Sequence, residues 1–108
     1  MFKRRYRLLS HKQIQRLFKD GQTFIGKILL IKYKPQRREK RFAISVSRKH
    51  FPKAVIRNRL KRQLREAIRY YQDDFADGHY LFIILKKDKT VYSVNNFQKD
   101  LRNIFRLK

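Results

Sequence analysis

The stretch that decides the fold occupies positions 54–71 and reads AVIRNRLKRQLREAIRYY. When these residues are placed on a helix at 100° intervals, the apolar side chains fall within one arc of about 120°. They are Ile56, Leu60, Leu64, Ala67, Ile68 and Tyr71. The adjacent arc, from about 100° to about 240°, holds Arg57, Asn58, Lys61, Arg62, Arg65 and Arg69. We therefore predict a long helix that packs one side on a sheet and carries positive charge on the neighbouring side.

The cationic side of this helix is typical of a nucleic-acid contact. A solvated helix usually mixes charge signs, because like charges four residues apart cost a few tenths of a kcal/mol. Here Arg57, Lys61 and Arg65 repeat at that spacing, and the one acid, Glu66, lies outside the cationic arc. Guanidinium groups hold phosphate oxygens in pairs and can stack on bases. We interpret this side as a binding surface for an anionic partner, against the alternative of a plain solvated face.

The composition of the whole chain supports the same interpretation. Thirty Lys and Arg stand against eight Asp and Glu, so the formal net charge is +22 at pH 7. Charge of one sign at this density indicates a polyanionic partner, and nucleic acid is the usual one. The absence of cysteine excludes disulfides and thiolate zinc sites. The longest apolar run, 80–85, is too short to span a membrane, and no apolar signal core follows the basic N-terminus. We expect a cytoplasmic protein with no membrane partner.

Two further helices are predicted, one near each end of the chain. Ser10 and Gln13 fit a capping box that opens the first of them. Its apolar face consists of Ile14, Leu17 and Phe18, at spacings of three and four residues. Gly21 is placed to end the helix, because glycine tolerates the left-handed conformation that often follows a helix. The last helix begins after Ser93, and its apolar face consists of Val94, Phe97, Leu101, Ile104 and Phe105.

The remaining segments predict strands and loops. The β-branched and aliphatic residues of 24–33 indicate a strand, 42–47 alternates large apolar and small residues, and 80–85 is typical of a buried strand. The polar segment 34–41 is typical of a hairpin loop, and the acidic segment 73–78 of a loop after the long helix. The predicted fold class is α+β: a small mixed sheet with helices packed on it, in the order helix, two or three strands, helix, strand, helix.

The chain is predicted to form a single RNA-binding domain over residues 1–108, in which residues 1–9 form a basic N-terminal arm.

No pattern in the sequence predicts catalysis by the protein's own side chains. The three histidines, His11, His50 and His79, are scattered without the spacing of metal ligands. The acids of 73–77 are explained by the loop after the long helix, and three glycines cannot build a glycine-rich phosphate loop. We predict no catalytic residue, no metal site and no protein-bound cofactor.

A family resemblance lies in the same stretches. Residues 53–66, KAVIRNRLKRQLRE, resemble the RNR signature of the bacterial ribonuclease P protein family. Residues 42–49, FAISVSRK, are similar to that family's strand and basic turn, and residues 7–21 are similar to its first helix. Together these stretches cover most of the chain in the family's order.

This resemblance implies a function and its partners. In that family an RNA subunit carries the catalytic site and removes the 5′ leader from precursor transfer RNA, while the protein binds RNA. The implied partners are therefore ribonuclease P RNA and precursor transfer RNA, with one protein per RNA. Mg²⁺ is expected to act through the RNA subunit. The resemblance also implies a left-handed crossover between the parallel strands that flank the long helix.

The resemblance further implies which residues bind RNA. From the signature these are Arg57, Asn58, Arg59, Lys61, Arg62 and Arg65, to which we add Arg69 and the preceding cations Arg48, Lys49 and Lys53. The single-stranded leader is expected in a cleft between the first helix and the exposed sheet face, with Ile14, Phe18, Lys32 and Tyr33 as its contacts. For Phe18, packing in the core is the alternative.

Three other functions are compatible with a small basic chain. A ribosomal or other structural RNA-binding protein would share the composition but not the Arg-Asn-Arg block. An architectural DNA-binding protein could place the basic helix in the major groove. A protein-only nuclease is disfavoured, because the sequence offers no cluster of acids or histidines.

Overall fold

The computed structural model describes residues 6–107 and confirms the predicted α+β fold. Its strands are β1 (Tyr6–Leu8), β2 (Gln22–Ile25), β3 (Leu29–Pro35), β4 (Lys40–Ser45) and β5 (Gly78–Ile84). Its helices are α1 (His11–Asp20), α2 (Ala54–Tyr71) and α3 (Val94–Phe105), and a short 3₁₀ turn (Gln72–Asp74) follows α2. The helix predicted from 54–71 therefore has the expected bounds.

The five strands form one mixed sheet in the order β1-β4-β5-β3-β2. β5 lies in the centre, antiparallel to β3 and parallel to β4. The hairpin predicted for 34–41 is therefore wrong, because β3 and β4 flank β5 and do not pair with each other. β4, α2 and β5 form the βαβ unit for which the family resemblance implies a left-handed crossover.

Both faces of the sheet carry helices, but they are covered unequally. α2 and α3 pack against each other over one face and enclose the main core. Its fully buried residues include Leu29, Ile31, Phe42, Leu60, Leu64, Ile68, Phe82, Phe97 and Leu101. α1 alone packs on the opposite face, through the fully buried Leu17. Part of that second face is left open beside α1.

α1 ends at the predicted residue, Gly21, but the backbone conformation of that glycine differs from the prediction. The capping box is present, with Ser10 N–H donating to Gln13 Oε1 (2.8 Å) and Gln13 N–H donating to Ser10 Oγ (3.3 Å). Gly21 does end the helix, yet its φ of −75° is not left-handed. Glycine is required there for space, since an added Cβ would lie 2.5 Å from the carbonyl oxygen of Leu17.

The segment predicted as the strand 24–33 is a tight hairpin held by a distant carboxylate. Asp100 of α3 is 4% exposed, and its oxygens accept backbone N–H groups from Lys27 (2.8 Å), Ile28 (3.1 Å) and Leu29 (3.0 Å). At Gly26 an added Cβ would lie 2.4 Å from the same carboxylate. Asp100 thus fixes both the turn between β2 and β3 and the position of α3.

Part of the predicted basic arm, residues 1–9, belongs to the sheet. Tyr6–Leu8 is an edge strand parallel to β4, and Leu9 N–H donates to the carbonyl of Phe42 (3.3 Å). Residues 1–5 and 108 lie outside the described residues.

We predict that Asp100→Asn lowers the free energy of unfolding by about 2–4 kcal/mol, because an amide NH₂ would face buried N–H donors that a carboxylate satisfies. Urea unfolding measures the loss. The matched control is Asp88→Asn on the exposed loop before α3, which should change stability by less than about 0.5 kcal/mol. Equal effects of the two substitutions would contradict this account of Asp100.

Candidate nucleic-acid interface

The outward side of α2 is a continuous cationic ridge. Asn58, Arg62, Arg65 and Arg69 are all exposed, while Leu60 and Leu64 on the opposite side are buried. At 100° per residue the four exposed positions fall within about 60° of one another. Arg69 is partly neutralised, because its guanidinium pairs with Glu66 at 2.6 Å one turn earlier. The ridge is therefore most strongly positive at Arg62 and Arg65.

Other predicted RNA-binding residues of α2 lie beside this ridge. Arg59 is exposed near Glu66 on the helix surface, and Lys61 is half-buried at the margin of the core. Arg57 is also half-buried, and its Nη1 donates to the carbonyl oxygens of Phe51 (2.9 Å) and Pro52 (2.7 Å). Its guanidinium thus binds the segment that enters the helix, so it does not share the free outward orientation expected from the sequence.

The segment before α2 is a fixed basic turn. Ser47 Oγ accepts N–H groups from Lys49 (3.1 Å) and His50 (3.4 Å), and Phe51 N–H donates to the carbonyl of Ser47 (2.9 Å). The predicted cations of this segment, Arg48, Lys49 and Lys53, are exposed. We call residues 47–53 the basic turn. The basic turn leads into the N-terminal end of α2, so its exposed cations precede the ridge along the chain.

A second candidate surface lies on the open sheet face beside α1. Phe18 is 57% exposed, so the alternative of core packing is wrong for its ring. Lys32 Nζ lies 6.0 Å from the centre of that ring and donates to Thr23 Oγ1 (2.7 Å). Ile14 is half-buried one turn before Phe18 on α1. The structure therefore brings Ile14, Phe18 and Lys32 together, and we call this region the α1 cleft.

The floor of the α1 cleft continues over apolar residues that the sequence analysis missed. Ile25 is 72% exposed and pairs in register with Leu30, which in turn pairs with Ile83. Leu30 and Ile83 are only half-buried. Alternation along the strands was the available signal, but it could be used only once the strand order was known.

Tyr33 is not part of the α1 cleft. Successive strand residues point to opposite faces, so Tyr33 faces the core side while Lys32 faces α1. Its ring centre lies 4.7 Å from that of Tyr80, and its hydroxyl donates to the carbonyl of Asp77 (2.8 Å). Burial, followed by the nearby Asp77 carboxylate, raises the pKa of Tyr33 above 10.0. The predicted leader contact at Tyr33 is therefore corrected to a role in packing.

A polar network fixes α1 on the sheet. Glu39 forms an ion pair with Arg41 and bonds to Nε2 of His79 at 3.0 Å. The other end of Arg41, Nη1, donates to Gln13 Oε1 at 3.4 Å, the oxygen that also completes the capping box. The hydrogen bond with His79, and then the bond and charge of Arg41, lower the pKa of Glu39 below 4.5. The network therefore helps, together with the buried Leu17, to hold α1 against the sheet.

In the described part of the chain, few side chains are placed where they could act as catalytic groups or metal ligands. His79 is buried against Glu39, whereas His11 and His50 are exposed. Over residues 6–107 no three His, Cys, Asp or Glu side chains are grouped as metal ligands would be.

None of the helices within residues 6–107 has the length and apolar character needed to cross a membrane.

A cationic helix ridge over one face of the sheet and an open, aromatic-edged surface on the other are typical of a nucleic-acid-binding protein of α+β class. The family model of ribonuclease P matches residues 2–107, and the chain therefore belongs to the ribonuclease P protein family. Membership gives it the family's function, which is to act with an RNA subunit in the maturation of transfer RNA 5′ ends.

Individual relatives agree with this assignment. The ribonuclease P protein component of Roseiflexus castenholzii is 34% identical over 84 residues, covering 78% of this chain and 69% of the relative. That of an Exiguobacterium species is 30% identical over 105 residues, covering 96% and 90%. The solved structure of the RNase P protein from Thermotoga maritima is similar at 26% identity, with a TM-score of 0.78 over 96% of this chain and 99% of that one.

We predict that Glu39→Gln lowers the free energy of unfolding near neutral pH. Because the pKa of Glu39 is depressed by folding, its stabilisation is present above the ordinary pKa of 4.5 and is lost as the pH falls through the lower pKa of the folded state. The difference between wild type and variant should therefore shrink on acidification. Urea unfolding at a series of pH values measures it, and a difference that is constant with pH would contradict the role given to Glu39.

Proposed function

We propose that the ridge of α2 and the basic turn bind the RNA subunit of ribonuclease P. The observation that carries this proposal is the ridge itself, where Arg62 and Arg65 are exposed beside Asn58 without an acid paired to either in the described residues. Arginines in this state hold phosphate oxygens bidentately, and an amide adds contacts to a base edge or a 2′-hydroxyl. Counterion release from the RNA then contributes most of the affinity.

We also propose which steps the RNA subunit performs and which the protein performs. The RNA subunit carries out the cleavage, with Mg²⁺ bound to RNA groups, and the protein supplies no reacting side chain. One protein binds each RNA, and the complex acts in the cytoplasm. The protein's cations lower the electrostatic repulsion between the RNA subunit and the precursor, which favours binding of the precursor.

We further propose that the α1 cleft holds the single-stranded 5′ leader of precursor transfer RNA. Phe18 offers a ring on which a base can stack, and Lys32 beside it offers a charge for the phosphate. Stacking on a ring accepts every base, and cations follow the backbone, so this combination suits leaders of different sequence. The apolar floor at Ile25 and Leu30 extends the contact along the sheet.

Two arginines of the ridge test the first proposal. Arg62→Ala with Arg65→Ala should weaken binding of ribonuclease P RNA and reduce the slope of log affinity against log salt by about 1.4–1.8, since each phosphate contact contributes roughly 0.7–0.9. Filter binding at several salt concentrations measures the slope. The matched control is Lys12→Ala with Lys19→Ala, two exposed cations of α1. If both pairs gave the same slope, the ridge would not be the RNA-binding surface.

A single aromatic tests the second proposal. In the reconstituted holoenzyme, Phe18→Ala should weaken binding of precursor transfer RNA about 10-fold, given about 1–3 kcal/mol per stacked base. Affinity for mature transfer RNA, which has no leader, should not change. Tyr70→Ala is the matched control, because Tyr70 is 69% exposed on α2 outside the α1 cleft. Equal losses for precursor and mature transfer RNA would exclude leader stacking at Phe18.

A further inference from the structure

A basic cavity lies outside both surfaces described so far. It has a volume of about 330 Å³ and opens between the β2–β3 turn, the β5–α3 loop and the outer side of α3. Three lysines line the opening of the cavity, namely Lys27, Lys87 and Lys99. Asn96, Asn103 and Val91 line it between them. A cavity of this size can receive one nucleotide unit of a polymer.

The cavity carries a net positive charge. Lys27, Lys87 and Lys99 are exposed, and the one acid that lines the cavity is Asp100. The Asp100 carboxylate already accepts three backbone N–H groups, so it is committed to the turn beneath the cavity. No ion pair among the described residues involves any of the three lysines. An anion at the opening would therefore meet a net positive charge, three lysines against the one carboxylate of Asp100.

Three hydrogen bonds anchor the loop that carries Lys87. The hydroxyl of Tyr92 donates to the carbonyl of Leu85 (2.5 Å) and accepts the N–H of Lys87 (3.0 Å). At the start of α3, Asn96 Nδ2 donates to the carbonyl of Val91 (2.6 Å). Val91 is nevertheless 72% exposed at the opening. Binding to a loop fixed in this way loses less conformational entropy than binding to a mobile one.

The cavity is continuous with the RNA-binding surface proposed for α2. Phe51 of the basic turn packs edge-on against Tyr92 of the β5–α3 loop, with ring centres 5.8 Å apart. Lys86 Nζ lies 6.0 Å from the centre of the Phe51 ring. The basic turn and the β5–α3 loop thus form one edge of the molecule, and exposed cations run along it from Lys49 through Lys86 to the cavity.

We propose that this edge is a second RNA-binding segment, and that the cavity receives a nucleotide of the same RNA that the ridge binds. The three lysines contact phosphates, Val91 packs against the base or ribose, and the amides of Asn96 and Asn103 bond to a base edge or a 2′-hydroxyl. This inference rests on the RNA-binding function proposed for α2, and it adds a site on α3 that the basic helix alone would not supply.

Removing the positive charge of the three lysines tests whether the cavity binds RNA. Lys27→Gln, Lys87→Gln and Lys99→Gln together should weaken binding of ribonuclease P RNA at least 10-fold near 150 mM salt and reduce the salt slope by about 2–3. The backbone N–H of Lys27 is kept, so the contact with Asp100 survives, and thermal unfolding checks the fold. The matched control removes three other exposed cations, with Lys12→Gln, Lys19→Gln and Arg37→Gln. If the two triple variants bound alike, the cavity proposal would be overturned.

The same assay separates the two proposals. If Arg62→Ala with Arg65→Ala weakens binding and the lysine triple matches its control, only the cavity proposal fails. If neither variant differs from its control, the RNA-binding function proposed for α2 fails, and the cavity proposal fails with it. A specific loss in both supports both.

Cross-linking provides an independent measurement. The chain contains no cysteine, so Val91→Cys creates a unique attachment point for a photoreactive group. Irradiation of the complex should cross-link the cavity to a defined segment of ribonuclease P RNA, and Arg37→Cys in the β3–β4 loop should yield little product. Cross-links of equal yield from both positions, or none from Val91→Cys, would contradict the proposal.

Discussion

Electrostatic self-repulsion is the constraint on which this structure depends. A chain with thirty cations and eight acids must place most of its positive charge at the surface, where water and counterions reduce the repulsion. The acids that lie inside are committed to particular tasks. Asp100 holds the β2–β3 turn, and Glu39 joins Arg41 to His79 beneath α1. Few carboxylates remain to neutralise the ridge of α2, and Glu66 pairs with Arg69 alone, so Arg62 and Arg65 stay available to a polyanion.

This distribution leaves some cations committed to the fold and others exposed at the surface. Arg57 and Arg65 stand eight residues apart on the same helix, yet Arg65 is exposed whereas Arg57 is half-buried. Arg57 donates both of its described bonds to carbonyls of the basic turn, which fixes the position of that turn relative to α2. Arginine-rich helices therefore need not use every arginine for recognition, because some maintain the shape that the others present.

The sequence predicted the features that depend on local pattern. The bounds of α2, the capping box at Ser10 and the cap of α3 at Ser93 all follow from residues within a few positions of one another. The errors concern residues that meet across the fold. Asp100 is separated by 73 residues from Lys27, so no local signal distinguishes the β2–β3 hairpin from one strand. For Tyr33, one step along β3 decides whether the ring faces the α1 cleft or the core.

The sequence predicted the general position of the candidate RNA-binding surface, because that position also depends on local pattern. The helical wheel identified the cationic side of α2 correctly, because it depends only on helical periodicity. It could not show that Arg57 bonds to carbonyls or that Arg69 pairs with Glu66, since these contacts depend on rotamers and neighbouring loops. The basic edge at the β5–α3 loop was not predicted at all, because its lysines come from three separate elements.

The central position of β5 has a consequence for synthesis of the chain. β3 and β4 have no direct pairing, so the sheet cannot close until residues 78–84 have left the ribosome. Until then α2 has emerged without the strand that completes its packing surface, and its apolar side has no closed sheet to cover it. Contacts between residues distant in sequence also slow folding. The nascent chain therefore exposes its most basic helix near ribosomal RNA before the fold is complete.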